Sequence, residues 1–404
     1  MHLATADALK FELKPRDPRL AGWLSEFPSD IFGDRLYQSI ELMERYSIAL
    51  AGALLCEVGV VGKITDYQTV EQLCAALGFK PQFSSALRWL LDRLVEADFI
   101  ERRRDGETVG YRSRRQVAKD ELSQLRSLAI QVDPANAATL DLLDHAASSY
   151  PVVARGEQTG EQSMFGPQGI ALWLSYFNNT NPTYAVNNWV GALTAAARVS
   201  SQPTLRILEI GAGAGSGTAA LLEALDQRSL LPRISRYMVT EPNAFFRRRA
   251  QRELTARYRN VPLEWSTLDL DLPWADQING SKEFDLVFAV NVFHVSKNLR
   301  FSLKQAASTL TNGAQLVIGE CVRPFENQPI YPELMFQILE SFNDVTTDPE
   351  IRPRPGFLTP EHWRRAFAEA GFTNVEVVPE IEKIRDIYSH FFTAAICGQT
   401  AVDR

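Results

Sequence analysis

The chain has 404 residues, 45% of them hydrophobic and 23% charged, which is ample for a large buried core and for two or three domains. Its net charge of −7 at pH 7 provides no general basic field, so we expect no nucleic-acid partner. Four scattered cysteines, no signal-peptide pattern and a longest apolar run of only residues 48–56 predict a cytoplasmic protein that does not enter a membrane.

The first 200 residues form two predicted units. Residues 1–35 contain several prolines and few periodic apolar positions, which predicts an irregular lead-in. Residues 36–200 are predicted to be a mainly helical N-terminal domain that begins with a deeply buried helix over 36–58. Within it, a helix, a turn, a second helix over 83–97 and two short strands are typical of a winged helix.

This winged-helix-like unit has two interpretations. The second helix offers DNA mainly Arg88 and Arg93, and the chain is acidic, so we favour a lid or dimerisation module over DNA binding. The arginines between Arg102 and Arg115 are a candidate docking surface for an acidic carrier protein.

The segment over 173–193, WLSYFNNTNPTYAVNNWVGAL, interleaves aromatic residues with asparagines. Asparagine caps helices, but its amide also binds polar ligands. Since the segment immediately precedes the next motif, we expect it to fold over a ligand there, with Tyr184 and Asn188 as candidate substrate-pocket residues.

Residues 205–222, LRILEIGAGAGSGTAALL, predict a strand, a tight glycine turn and a helix. Gly211, Gly213 and Gly215 would allow positive φ angles and a close approach of a nucleotide-like ligand, although an ordinary strand-to-helix turn remains an alternative. A carboxylate at Glu209 would repel a pyrophosphate, which favours a cofactor without phosphates.

Four further strands follow, alternating with helices. The second strand ends at Glu241, where nucleotide-binding folds hold ribose hydroxyls, although a surface glutamate at a helix start is the alternative. The alternation predicts a doubly wound, mostly parallel sheet, and the tail over 360–398 adds an antiparallel edge. Polar residues cluster where these strands end, which predicts a site at that edge formed by Glu209, Glu241, Asp269, Asn291, His294 and Glu320.

The order of EIGAGAGSG, TEPNAFF, LDLDLP, FDLVFAVNVFH and GAQLVIGE resembles a class I S-adenosylmethionine-dependent methyltransferase, and more narrowly the methyltransferases of polyketide synthase assembly lines. The resemblance covers about residues 204–398 and departs from the family pattern at Ala214, usually a threonine, and at Phe293, usually a leucine. It implies a Rossmann-like catalytic domain over 201–404 with S-adenosyl-L-methionine as cofactor.

The resemblance also implies roles for individual residues. The glycine turn would approach the methionine part of the cofactor, and Glu241 would hold the ribose. Asp269, with Leu270 beside it, would face the adenine, and Asn291 would lie near the sulfonium.

His294 is the candidate general base, with Glu320 as the carboxylate that orients its imidazole ring. A structural histidine in an aromatic neighbourhood is the alternative. The other histidines lack ligand spacing, so we expect no metal site.

An insertion after the fifth strand, RPFENQPIYPELMFQILESFNDV, is placed to shape the acceptor pocket, with Tyr331 and Phe336 either lining it or packing as core. The sequence favours methyl transfer to a β-hydroxyl or enol oxygen of a polyketide-type acyl chain on a carrier protein. Carbon methylation at the α-position of a β-ketoacyl thioester and O-methylation of a free natural product are the alternatives. A homodimer is left open.

Overall fold

The computed structural model describes residues 16–115, 121–278 and 283–402. The helices and strands that precede the glycine turn are α1 (Arg19–Trp23), α2 (Asp34–Glu57), α3 (Val70–Leu77), α4 (Ser84–Glu96), β1 (Ile100–Asp105), β2 (Thr108–Ser113), α5 (Glu121–Val132), α6 (Ala137–Ala154), α7 (Gly160–Met164), α8 (Pro167–Tyr176) and α9 (Pro182–Arg198). The later elements are β3 (Leu205–Ile210), α10 (Ser216–Gln227), β4 (Ile234–Thr240), α11 (Ala244–Arg257), β5 (Leu263–Ser266), β6 (Phe284–Val290), α12 (Leu299–Thr309), β7 (Leu310–Cys321), α13 (Glu333–Phe336), α14 (Glu340–Asn343), α15 (Pro360–Glu369), β8 (Thr373–Val378), α16 (Ile381–Ile384) and β9 (Thr393–Gln399).

The central sheet has seven strands in the order β5-β4-β3-β6-β7-β9-β8. The first five strands pair in parallel, and β9 pairs antiparallel with both β7 and β8. This topology confirms the predicted doubly wound sheet with an antiparallel edge. The chain moves outward from β3 to β5 and then returns to place β6 on the other side of β3. The crevice between the carboxyl ends of β3 and β6 is therefore the switch point where such folds bind ligands.

The N-terminal half contains the secondary-structure elements that the sequence predicted for a winged helix, in the predicted order. The helix predicted over 36–58 is α2, the one over 83–97 is α4, and β1 and β2 form an antiparallel hairpin. Thr69 begins α3 with a capping box, in which its hydroxyl accepts from the backbone of Gln72. Of the predicted lead-in, residues 1–15 lie outside the described residues, and the rest contains the short helix α1.

Helix α9 lies directly on the sheet. A Cβ atom on Gly319 of β7 would come within 2.8 Å of the Asn187 carbonyl oxygen, and one on Gly191 within 3.2 Å of the Gly319 Cα. Only glycine at these two positions permits so close an approach. By packing, α9 thus belongs with the sheet, although the sequence assigned it to the N-terminal domain.

A buried ion pair joins α4 to α2 and to the insertion after β7. Arg93 is fully buried and forms a salt bridge with the equally buried Glu44, and its Nη1 donates to the Pro329 carbonyl oxygen at 2.9 Å. Close by, Trp89 Nε1 donates to Glu333 Oε2 at 2.8 Å. These contacts bury the inner face of α4 against α2 and the insertion after β7, so Arg93 cannot reach a DNA phosphate. Among the described residues, no helix combines the length and apolar character needed to cross a membrane.

We expect Arg93→Met to lower the free energy of unfolding by about 3–5 kcal/mol, because it leaves the Glu44 carboxylate buried without its partner. Arg88→Met is the control on the same helix. Arg88 pairs with Glu71 at the surface, and loss of such a pair costs at most about 1 kcal/mol. Urea denaturation of both variants measures the difference, and equal midpoints would contradict the structural role of the pair.

Candidate active site

The glycine turn after β3 has the backbone that the sequence predicted. Gly211, Gly213 and Gly215 have φ angles of +65°, +55° and +89°. A Cβ atom on Gly211 would lie 2.7 Å from a methyl group of Val292, which follows β6, and one on Gly215 would lie 2.8 Å from Leu254 of α11. The turn is thus held between α11 and the loop after β6, with glycine required at both contacts.

Glu241 lies beside this turn, at the end of β4. Its Oε2 accepts from the Gly213 amide at 2.9 Å and its Oε1 accepts from the Asn243 amide at 2.7 Å. Burial raises the pKa of this carboxyl, while the two amides oppose the shift. Since a carboxylate has about four acceptor positions, two remain for hydroxyl groups.

Asp269 and Leu270 follow β5 at the outer side of the same crevice. Asp269 is exposed, and its Oδ1 accepts from the Asp271 amide at 2.9 Å. Leu270 is half-buried. Both residues therefore lie on the strand-end edge where the sequence placed them, with Asp269 open to solvent.

Glu209 differs from the expected charged carboxylate at the ligand surface. It is only 2% exposed, and the Tyr237 hydroxyl donates to its Oε2 at 2.7 Å. Burial raises the pKa of the Glu209 carboxyl to about 7, although the hydrogen bond from Tyr237 opposes this. The sequence could not show this, because Tyr237 belongs to the neighbouring strand.

The other oxygen of Glu209 converges with the side chain of Asn188. A Cβ atom on Gly217 in α10 would lie 3.5 Å from Glu209 Oε1 and 3.7 Å from Asn188 Oδ1. Asn188 is fully buried, and its Oδ1 accepts no hydrogen bond within the described part of the chain. A buried acceptor without a donor is costly, so this pair of oxygens fits a ligand that donates, such as an ammonium group.

The asparagine-rich segment folds over the glycine turn, as expected. Asn188 Nδ2 donates to Asn179 Oδ1 at 2.7 Å, and Asn179 Nδ2 donates to the Ser216 carbonyl oxygen at 2.9 Å. The Tyr184 hydroxyl lies 3.1 Å from Ser216 Oγ. Tyr184 and Asn188 thus contact the first turn of α10, on the side of the glycine turn.

The loop after β6 is locked to β7. Asn291 adopts a φ angle of +54°, its amide donates to the Gly319 carbonyl oxygen at 2.7 Å, and its Oδ1 accepts from the Cys321 amide at 2.8 Å. The side-chain oxygen of Asn291 therefore holds this loop in place rather than facing the crevice unpaired.

His294 and Glu320 form the predicted pair. His294 Nδ1 and Glu320 Oε2 are 2.7 Å apart, and both side chains are buried. Glu320 Oε1 accepts from the amides of Phe293 at 3.0 Å and Val292 at 3.2 Å. Because a carboxylate only accepts, the proton lies on Nδ1, and Nε2 presents a lone pair that can accept a proton.

Aromatic side chains surround the His294 ring. The centroid of Phe357 lies 4.4 Å from it, and that of Phe342 lies 5.9 Å away. Phe336 stacks on Phe342 at 5.5 Å and on Trp173 of α8 at 5.4 Å. Phe336 therefore belongs to the aromatic cluster beside His294. Phe357 was missed, because it follows His294 by more than sixty residues and no local pattern marks it.

The wall continues from Trp173 to the glycine turn. Phe177 stacks on Trp173 at 4.9 Å and packs edge-on against Tyr184 at 5.1 Å. Tyr331, the other candidate from the insertion, is fully buried instead, with its hydroxyl donating to the Thr183 carbonyl oxygen at 3.4 Å. Tyr331 is thus core, the alternative that the sequence left open.

A general model of a methyltransferase domain matches residues 208–316, which include the glycine turn, Glu241 and His294. Over nearly its whole length the chain resembles the CurJ carbon methyltransferase, with a TM-score of 0.76, 25% identity and coverage of 95% of this chain and 96% of that one. The chain is a class I S-adenosylmethionine-dependent methyltransferase. The DszA carbon methyltransferase shares the fold, with a TM-score of 0.73, 23% identity and 98% coverage of both chains.

The curated proteins whose sequences are similar to the methyltransferase include polyketide synthases. It is 28% identical over 249 residues to polyketide synthase PksR of Bacillus subtilis (strain 168), which covers 60% of this chain and 9% of PksR. It is 33% identical over 181 residues to the highly reducing polyketide synthase valA of Aspergillus terreus, which covers 43% of this chain and 7% of valA. The methyltransferase thus spans less than a tenth of these relatives, and it resembles the methyltransferases associated with polyketide synthases.

The raised pKa of Glu209 makes the stability of the methyltransferase depend on pH. A carboxyl with a higher pKa in the folded chain stabilises the fold at low pH, and this contribution is lost as the pH rises from about 4.5 through about 7. Glu209→Gln should therefore gain about 3 kcal/mol relative to the unmodified chain between pH 4.5 and pH 8.

Urea midpoints at pH 5 and pH 8 measure this gain. Glu264→Gln is the control, because Glu264 forms a surface pair with Arg236 on the adjacent strand and should show no comparable trend. A Glu209→Gln difference that is the same at both pH values would contradict the raised pKa.

Proposed function

We propose that the methyltransferase methylates the α-carbon of a β-ketoacyl thioester carried by an acyl carrier protein. The observation that supports this most directly is the buried His294–Glu320 pair, at 2.7 Å, inside an aromatic wall. The similarity to the CurJ carbon methyltransferase favours this alternative over the O-methylation that the sequence put first. The polyketide synthase relatives favour a carrier-bound acceptor.

In this reaction His294 acts as the general base. Two carbonyl groups acidify the α-carbon of a β-ketoacyl thioester, so an imidazole can remove its proton. Nε2 takes that proton, while Glu320 holds Nδ1–H and stabilises the imidazolium that forms. S-adenosylmethionine, when bound, supplies an electrophilic methyl group to the resulting carbon nucleophile.

The residues around the glycine turn fit this cofactor. We assign Glu241 to the ribose hydroxyls, because two acceptor positions of its carboxylate remain free. We assign Glu209 and Asn188 to the ammonium group, because their buried oxygens converge and that of Asn188 lacks a donor. The sequence analysis predicted Asn188 as a substrate-pocket residue, and we assign it to the cofactor instead.

The aromatic wall defines the acceptor side. Phe336, Phe342 and Phe357 pack against one another next to His294, so an acyl chain that enters there meets apolar surface. Exclusion of water from such a pocket strengthens the interaction between the charges formed during proton transfer.

The arginines between Arg102 and Arg115, on and after the β1–β2 hairpin, support docking of a carrier protein less strongly than the sequence alone suggested. Arg102 pairs with Asp92 at 3.1 Å and Arg112 with Glu101 at 2.7 Å. Arg114 and Arg115 both pair with Asp98. Carboxylates of the same unit thus neutralise much of the charge of these arginines.

Two acceptors, one with α-protons and one without, distinguish methylation on carbon from methylation on oxygen. A β-ketoacyl carrier protein should gain one methyl group at the α-carbon, located by NMR with a ¹³C-methyl donor. A β-hydroxyacyl carrier protein with two α-methyl groups can be methylated only on oxygen, so it should stay unmodified. An O-methyl product from either acceptor would contradict carbon methylation.

We expect His294→Ala to lower kcat by about 10²–10⁴-fold, because proton abstraction contributes that much. The affinity for S-adenosylhomocysteine, measured by calorimetry, should stay within about twofold. His145→Ala is the matched control, since the His145 ring lies on the N-terminal helices, with Nε2 at 3.2 Å from the Ser163 carbonyl oxygen. Undiminished turnover by His294→Ala would exclude it as the base.

A further inference from the structure

Arg352 lies in a short turn, residues 348–352, within the insertion that covers the active site. Two backbone hydrogen bonds close this turn, from the Asp348 amide to the Arg352 carbonyl oxygen at 2.7 Å and from the Arg352 amide to the Asp348 carbonyl oxygen at 2.8 Å. The Arg352 residue is fully buried. Its guanidinium therefore points into the protein from a turn that two backbone hydrogen bonds close.

The Arg352 guanidinium donates to the turn that carries His294. Nη1 donates to the Ser296 carbonyl oxygen at 2.7 Å, and Nη2 lies 3.5 Å from the Phe293 carbonyl oxygen and 3.4 Å from Ser296 Oγ. The two carbonyls belong to the residue before His294 and the second residue after it. The contacts thus lie on both sides of His294, at the first residue of the 3-10 turn 293–295 and at the residue that follows it.

The charge of Arg352 has no ion-pair partner in the described part of the chain, in which every salt bridge within 4.0 Å joins other residues. Burial lowers the pKa of Arg352 to about 10, while the charges of Asp271 and Glu320 oppose this shift. The side chain is still a cation at neutral pH. A buried cation without a carboxylate contact destabilises a fold, so its presence next to the base calls for a local role.

We propose that Arg352 is a positioning residue for His294, holding the turn that carries the imidazole through hydrogen bonds to the backbone of that turn. The inference rests on the proposed role of His294 as the base. Arg352 acts through the turn, and it does not itself touch the reacting atoms.

Several other charges face this region. Glu320 approaches from β7, and Asp271 approaches from the loop after β5, where its Oδ1 accepts from the Lys297 amide at 2.7 Å. At the surface, Lys297 Nζ pairs with Asp344 at 3.1 Å. Arg300 pairs with Asp348 and Glu369, also at the surface. These surface charges are paired with one another, whereas Arg352 contacts the backbone on both sides of His294.

The hydrogen bonds determine what loss of Arg352 should do. A neutral side chain leaves the carbonyl oxygens of Phe293 and Ser296 without their guanidinium donors, so the turn no longer holds the His294 imidazole in one place. Because proton abstraction depends on that placement more than binding of the acceptor does, kcat should fall while KM changes little.

The test compares two neutral variants with one that keeps a cationic donor. Arg352→Gln and Arg352→Met should lose about tenfold in kcat, with KM within about twofold, because the turn loses its guanidinium donors. The ¹⁵N NMR signals of His294 in the S-adenosylhomocysteine complex, recorded at one pH, should change in the same two variants. Arg352→Lys should recover part of kcat, and Arg300→Gln is the matched control, which should leave both kcat and the His294 signals unchanged.

The readouts separate this inference from the proposed function. The NMR signals need no methyl acceptor, so they report on Arg352 even if His294→Ala were to retain turnover. His294 signals in the neutral variants that match those of the unmodified chain would overturn the positioning role. Should one neutral variant fail to fold, the other and Arg352→Lys still decide, since an Arg352→Lys variant with no more kcat than the neutral variant would also overturn it.

Discussion

The carboxylate of Glu320 organises the active site, because it accepts three hydrogen bonds that come from one loop. It joins His294 Nδ1 to the amides of Val292 and Phe293, so the orientation of the imidazole and the path of its backbone are set by the same buried group. Asn291 adds two further bonds from the same loop to β7. Loss of Glu320 would therefore disturb both the tautomer of the base and its position relative to the glycine turn.

This arrangement depends on the N-terminal half, which supplies one side of the site. The aromatic wall extends from Phe336 through Trp173 and Tyr184 to the first turn of α10. The Arg93–Glu44 pair and the Trp89–Glu333 hydrogen bond fix the insertion after β7 against α2 and α4. The inner face of the winged-helix-like unit is thus packed against the insertion, and the same packing removes one of the two cations that suggested DNA binding.

The sequence predicted the parts of the site that lie within short segments. The glycine turn, Glu241 and the order of the strands follow from local patterns, and His294 and Glu320 meet because β6 and β7 are neighbours in any fold of this topology. Glu209 was expected to face the ligand as a charge, but Tyr237 on the next strand buries it. Phe357 and Arg352 reach His294 from the insertion, whose path over the sheet no local periodicity specifies.

In the proposed mechanism, proton abstraction forms a positive charge on His294 next to negative charges on Glu320 and on the acceptor. The Arg352 cation and the Glu320 carboxylate are present before the reaction, and removal of the α-proton adds an imidazolium at His294 and an enolate in the acceptor. An imidazolium between a carboxylate and an enolate has an opposite charge on either side, which a dry aromatic pocket strengthens. On the inference drawn above, Arg352 contributes through the backbone, because its hydrogen bonds to the carbonyl oxygens of Phe293 and Ser296 hold the turn that carries His294. The base is thereby held in place before the acceptor arrives.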